Sequence, residues 1–139
     1  MCAFTDKSAK TGAALRYIDL LRLIMAGAIE EAQTRLEPAV LKSDVDEARG
    51  KIAYNHHAPV LYDPRMNVLQ FISARRPGQP IATIVNYSSR PEVIGPDQGV
   101  LSPDFCGPLF DPIAEKRGGT ALFVNDMQGG MVTRRAPKS

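Results

Sequence analysis

Between residues 11 and 37 the apolar positions recur every three or four residues. Ile18, Leu21, Met25, Ala28, Ile29, Ala32 and Leu36 form the stripe, with Leu15 leading into it. That period predicts a helix over 11–37, with Thr11 or Ser8 available to cap its start. Pro38 stops it, because a proline pushes the residue before it, Glu37, out of helical geometry. Glu31 and Arg35 stand four apart on the polar face, a pair that contributes about 0.2–0.5 kcal/mol in an exposed helix. Leu20, Leu23 and Ile24 widen the apolar stripe, so the helix is expected to be covered on two sides.

After Pro38 the pattern shortens to strand-like runs. Ala39–Lys42 and Gly50–Tyr54 are predicted strands separated by a charged turn. Val68–Ile72 is a stronger one; Pro77-Gly78 then marks a tight turn, and Ile81–Tyr87 follows as a nearly all-apolar strand. The last two are expected to pair as a hairpin, the second buried on both faces. Pro108–Lys116 reads as a short helix, with proline in its first turn and Gly118-Gly119 beyond its end. Thr120–Val124 is predicted as another buried strand. Beyond Met131 a strand and a glycine turn lead into residues 133–139, which carry no apolar pattern and, like residues 1–10, read as a flexible end. The sum is an α/β architecture: a mixed sheet of about five strands, with the helix at 11–37 on one face and the second helix beside it.

Composition narrows the function classes. At 139 residues the chain fits one domain, and 44% hydrophobic with 23% charged residues is ordinary for a globular protein. A formal charge of +2 is too small to point to nucleic acid or an anionic membrane; Arg134, Arg135 and Lys138 read as a solvated tail. Cys2 and Cys106 make no disulfide framework and are expected as free thiols. The longest apolar stretch, residues 17–29, is broken by Asp19 and Arg22 and is too short to cross a membrane. The first ten residues lack the charged-then-apolar order of a signal peptide, and the compartment stays unassigned.

The chemistry-bearing residues gather where strands end. Asn86-Tyr87-Ser88-Ser89-Arg90-Pro91-Glu92-Val93-Ile94-Gly95 and Phe123-Val124-Asn125-Asp126-Met127-Gln128-Gly129-Gly130 each follow an apolar run and close on glycine. Leu101-Ser102-Pro103-Asp104-Phe105-Cys106-Gly107 lies between them. Paired glycines let backbone amides approach a ligand or an oxyanion closely. Asp104 can cap the following helix. His56 and His57 fall in a loop; adjacent residues of an extended segment point to opposite faces, which favours loop or substrate-rim roles over a shared metal. Arg90 before Pro91 is either a surface cation, neutralised by Glu92 or Asp97, or a fixed charge for a carboxylate or phosphate.

Together these segments resemble the neutral/alkaline (non-lysosomal) ceramidase family, zinc amidases that cleave N-acyl bonds. The resemblance runs from about residue 12 to Val132 and is strongest from Tyr54 onward, with Tyr62-Asp63-Pro64-Arg65 adding to it. It implies an internal slice of an N-terminal catalytic domain, acting on a lipid amide. Asp104, in a stretch similar to the family's Ser-x-Asp-Phe, then lines the active-site side. Asn125, Gln128 and Gly129 fall in a segment similar to its Asn-Gly-x-Gln-Gly motif, with Asp126 in place of glycine; the resemblance implies a turn at Asp126 that favours positive φ, which aspartate tolerates better than most residues. The family's Gly-Asp-Val-Ser continuation is not reproduced, since Gly130-Met131-Val132-Thr133 stands there.

The departure that matters is Arg90. In the family the corresponding strand ends in Asn-Tyr/Phe-x-x-His-Pro, and that histidine ligates zinc. A guanidinium has no lone pair for a metal. The family's upstream His-x-His segment has no counterpart either, as no histidine precedes His56. The expectation is a single partial domain over 1–139, a ceramidase-like hydrolase fragment inactive alone and without a zinc ion of its own. The alternatives are a non-catalytic anion-binding or assembly module that uses Arg90, with His56 and His57 at its rim, and a truncated reading frame. The remainder of a catalytic domain is the implied partner.

Overall fold

The computed structural model describes residues 12–50, 52–95 and 99–133, and these fall into two compact units divided between Glu37 and Pro38. The first holds one element, helix α1 (Gly12–Thr34). It ends three residues before the expected stop. The Thr34 hydroxyl donates to the Glu31 carbonyl at 2.7 Å, and the next two amides reach back only three residues, Arg35 to Ala32 and Leu36 to Gln33. This tightened turn closes the helix before Pro38 can. The expected Glu31–Arg35 pair is formed, while the caps proposed at Ser8 and Thr11 lie outside the described residues. No other described element of this unit covers the apolar stripe, and no described helix is long and apolar enough to cross a membrane.

The second unit contains β1 (Ala39–Glu47), β2 (Ala53–Asn55), β3 (Arg65–Ser73), β4 (Pro80–Tyr87), α2 (Cys106–Arg117), β5 (Thr120–Asn125) and β6 (Met131–Thr133). Four strands form a mixed sheet in the order β1-β3-β4-β5; β2 and β6 form a separate two-stranded ladder. β1 and β4 flank β3 antiparallel, and β5 runs parallel to β4 with Tyr87 opposite Asn125. The α/β class with a mixed sheet is therefore as the sequence predicts, and so are the β3–β4 hairpin and α2, which packs on β5. Pro108 sits in the first turn of α2, and Gly118 and Gly119 follow it at φ +77° and +76°. At such φ a side chain is strained.

Three expectations change. Residues 43–46 are no turn: β1 runs through Ser43-Val45 and both aspartates to Glu47, every residue exposed. Pairing with β3 along the whole length overrides the poor strand propensity of aspartate, which an edge position tolerates. β5 is not buried but alternates exposed and half-buried residues, because it is the other edge of the sheet. β4 has a buried face, Thr83, Val85 and Tyr87, and a half-buried one.

The core sits where the two sheets meet. Ala53 of β2, Tyr87 of β4 and Met131 of β6 are buried against one another, with Tyr62, Met66 and Phe123 packed around them. Pairing of β2 with β6 places Asn55 opposite Met131, which brings the loop after β2 to the loop between β5 and β6. Thr133 is buried in this ladder; residues 134–139 lie outside the described residues.

Candidate functional site

Three loops converge at the ends of β2, β4 and β5. As β4 ends, the chain turns at once: Ser89 N–H donates to the Tyr87 carbonyl at 2.9 Å. Ser88 and Ser89 are buried, and neither hydroxyl oxygen has a hydrogen-bond partner. Arg90 emerges into solvent, and its Nη2 donates to the Gly129 carbonyl at 3.3 Å. From β5, Asn125 Nδ2 donates to the Ser89 carbonyl, and Asp126 N–H donates to the Tyr87 carbonyl at 3.2 Å. The parallel strands are thus laced together just beyond their ends.

The Gln128 backbone carbonyl accepts the Met131 amide at 2.6 Å, closing the turn into β6, and the Gly130 carbonyl accepts the His56 amide at 2.7 Å. Asn55 Oδ1 receives the amides of His57 (3.0 Å) and Ala58 (3.1 Å), an Asx-type turn. A Cβ on Gly130 would collide with that Asn55 oxygen and crowd the His57 ring. The glycine is needed here for close approach.

The loop geometry alters the reading of the histidines. His56 and His57 do not diverge: the Asn55-held turn replaces an extended segment, and their rings meet edge to face with centroids 5.3 Å apart. The turn strain also moves. Asp104, not Asp126, is the non-glycine residue at positive φ (+52°) among the described residues. Nor does Asp104 cap α2: the N-cap is Phe105, which has no side-chain cap bond. The Asp104 carboxylate instead accepts the amides of Phe105 (2.7 Å) and Ile94 (3.0 Å), tying the loop after Arg90 to the start of α2. Partial burial pushes its pKa up, but the amides of Ile94, Phe105 and Val93 outweigh this and hold it below the ordinary value. The Cys106 thiol is free and its pKa is raised, by burial first and then by the Asp104 charge. A raised thiol pKa makes for poor reactivity.

One charged pair near this face carries more weight than its sequence context indicates. Arg65 grips Asp63 with Nε to Oδ1 at 2.9 Å and Nη2 to Oδ2 at 2.6 Å, the bidentate geometry that guanidinium and carboxylate share. Its amide also donates to Asp63 Oδ1 at 3.0 Å. The side-chain bond first, then the backbone bond, lower the Asp63 pKa to about 2 against a smaller opposing effect of burial. Because the folded pKa is depressed, the stability this pair contributes is present above the ordinary carboxylate value. It is lost as pH falls towards about 2. In a carboxyl NMR titration Asp63 is expected to titrate near 2 in the natural chain and to rise from there in Arg65→Met, while staying below the ordinary value because the residue 65 amide still donates to it. An unshifted Asp63 in the natural chain would contradict the pairing.

The structure thus brings Arg90, Asn125, Gln128, Gly129, His56 and His57 around one set of loop ends, with Asp104 holding the neighbouring loop. Arg90 is not neutralised by Glu92: no ion pair joins them, and one Glu92 oxygen is buried without a partner; Asp97 lies outside the described residues. The buried Ser88 and Ser89 carried no signal in the sequence beyond their place in the motif. A zinc site takes four nitrogen, sulfur or oxygen ligands from side chains and water. Here the position at the β4 exit holds a guanidinium, and the two imidazoles face each other edge to face. Among the described residues no three His, Cys, Asp or Glu side chains are grouped to hold a metal. The described residues do not fit zinc.

No protein-family model and no curated protein matches the sequence. Solved structures do match. Neutral ceramidase from Pseudomonas aeruginosa superimposes with a TM-score of 0.64 at 24% identity over 79% of this chain. A ceramidase structure complexed with C2 gives 0.61 at 24% identity over 74%. The chain spans 20% and 18% of those two chains. The chain has the fold of one part of a neutral ceramidase.

Proposed function

We propose that this chain is a ceramidase-like hydrolase portion that does not cleave N-acyl amides by itself. The observation that carries this is Arg90 at the β4 exit, bonded to the Gly129 carbonyl, where the ceramidase resemblance places a zinc-ligating histidine. Zinc would supply an activated water and polarise the scissile carbonyl. A guanidinium supplies neither. The surrounding frame supports the family reading: Asn125 and Gln128 organise the loops, and Gly129 lies exposed beside Arg90. Exposure of Arg90, with a neutral carbonyl as its recorded partner, favours a second reading, an anion-binding module on the same fold.

Incubating the full chain with a short-chain N-acyl sphingosine and added zinc, and following release of the free amine, tests the first reading. No release above the protein-free control is expected. Turnover by the natural chain would overturn it and return Asp104, Asn125 and Gln128 to catalytic candidacy.

A further inference from the structure

β1 lies at one edge of the four-stranded sheet, paired with β3 alone. The flanking hydrogen bonds fix which of its amides face outward. Ala48 N–H donates to the Pro64 carbonyl at 2.8 Å, and the Pro38 carbonyl accepts from Ala74 at 2.9 Å. Both continue the register in which Ala39 opposes Ser73 and Glu47 opposes Arg65. Hydrogen-bonded and non-bonded positions alternate along an antiparallel ladder. Even-numbered residues therefore turn to β3, and residues 39, 41, 43, 45 and 47 present their backbone groups to the open edge.

Two of these outward amides are already held. Val45 N–H donates to Asp44 Oδ1 at 2.9 Å, and Glu47 N–H donates to Asp46 Oδ1 at 2.8 Å. Without them the edge would invite pairing, since Val40, Leu41 and Val45 are each more than half exposed. A two-fold partner strand centred on Ser43 would set Leu41 against Val45 and Lys42 against Asp44 of a second copy. These are an apolar and an oppositely charged pair, each made twice, and the apolar pair is the one that survives replacement of the aspartates. That pairing needs the Val45 amide, which Asp44 holds.

We infer that Asp44 and Asp46 close the open edge of β1 against strand addition by a second copy of this chain. The carboxylates act as local acceptors that an incoming carbonyl must displace, and a bond to a charged acceptor is stronger than one to a neutral carbonyl.

Sedimentation of the full chain over a concentration series tests this, with circular dichroism confirming the fold of each variant. Asp44→Ala with Asp46→Ala is expected to lower the monomer–dimer midpoint at least about tenfold. Asp44→Asn with Asp46→Asn is expected to fall between the natural chain and the alanine pair, because the amide oxygen still accepts but carries no charge. Adding Ser43→Pro to the alanine pair reverses the shift, since the amide at position 43 faces the open edge and its loss costs no bond to β3. If the alanine pair does not fold, Asp44→Ala alone carries the comparison. An alanine variant that associates no more than the natural chain would overturn the inference. So would an asparagine pair matching the alanine pair, or a Ser43→Pro change without effect.

Discussion

Tyr87→Ala is expected to destabilise the second unit by about 3–5 kcal/mol, the usual loss when a large buried aromatic is cut to alanine. Tyr87 is 3% exposed and touches both sheets, with Ala53 and Met131 beside it. Deleting the ring leaves a cavity where the main sheet meets the β2–β6 ladder, so surrounding side chains cannot close it without shifting one sheet on the other. The same residue anchors the candidate site through its carbonyl, which accepts from Ser89 and Asp126. Tyr87→Phe preserves the volume and is expected to cost less than about 1.5 kcal/mol. Urea unfolding of the three proteins checks this; equal losses for the alanine and phenylalanine variants would place the stabilisation in the hydroxyl rather than the ring.

Gly119→Ala is expected to be comparably damaging for a different reason. At φ +76° any side chain is strained, and a Cβ here would lie 2.7 Å from both the Ile81 and Pro80 carbonyl oxygens. Those atoms belong to the main chain of β4 and cannot swing aside as a flexible side chain could. Backbone strain of about 1–3 kcal/mol adds to an overpacking cost of about 1–3 kcal/mol. Gly118 provides the internal control: its φ is +77°, but nothing stands within 4 Å of its Cβ position. Gly118→Ala should therefore show the strain alone. Equal denaturation midpoints for the two variants would remove the steric part of the account.

The sequence makes the locally determined elements legible. The three-and-four spacing from Leu15 to Ala32 marks α1, Pro77-Gly78 marks the hairpin turn, and Pro108 with Gly118-Gly119 brackets α2. What it hides depends on partners distant in the chain. Ser43–Asp46 looks like a turn until β3 is laid beside it. β2 is reached only by the end of the predicted Gly50–Tyr54 run, and β6, at three residues, is too short for a pattern; the two gain their order from pairing with each other. The candidate site divides in the same way. The motif resemblance groups Arg90, Asn125, Gln128 and Gly129, and the bonds from Arg90 to the Gly129 carbonyl and from Asn125 to the Ser89 carbonyl bring the two loops that carry them together. The His56–His57 ring contact and the Asp104–Ile94 tie arise from turns that Asn55 and a positive φ impose, and neither has a periodic signature.

Arg90 links the fold to the functional reading. The frame around it matches part of a neutral ceramidase in shape, while its side chain is chemically unable to bind the metal that the ceramidase resemblance implies. Elemental analysis of zinc in the purified natural chain, with Arg90→His beside it, tests that claim most directly. The account predicts no stoichiometric zinc in the natural chain, and metal gained by the variant would show that Arg90 alone closes the position. Close to one zinc per natural chain would contradict it and make His56 and His57, with nearby carboxylates, the ligands to pursue.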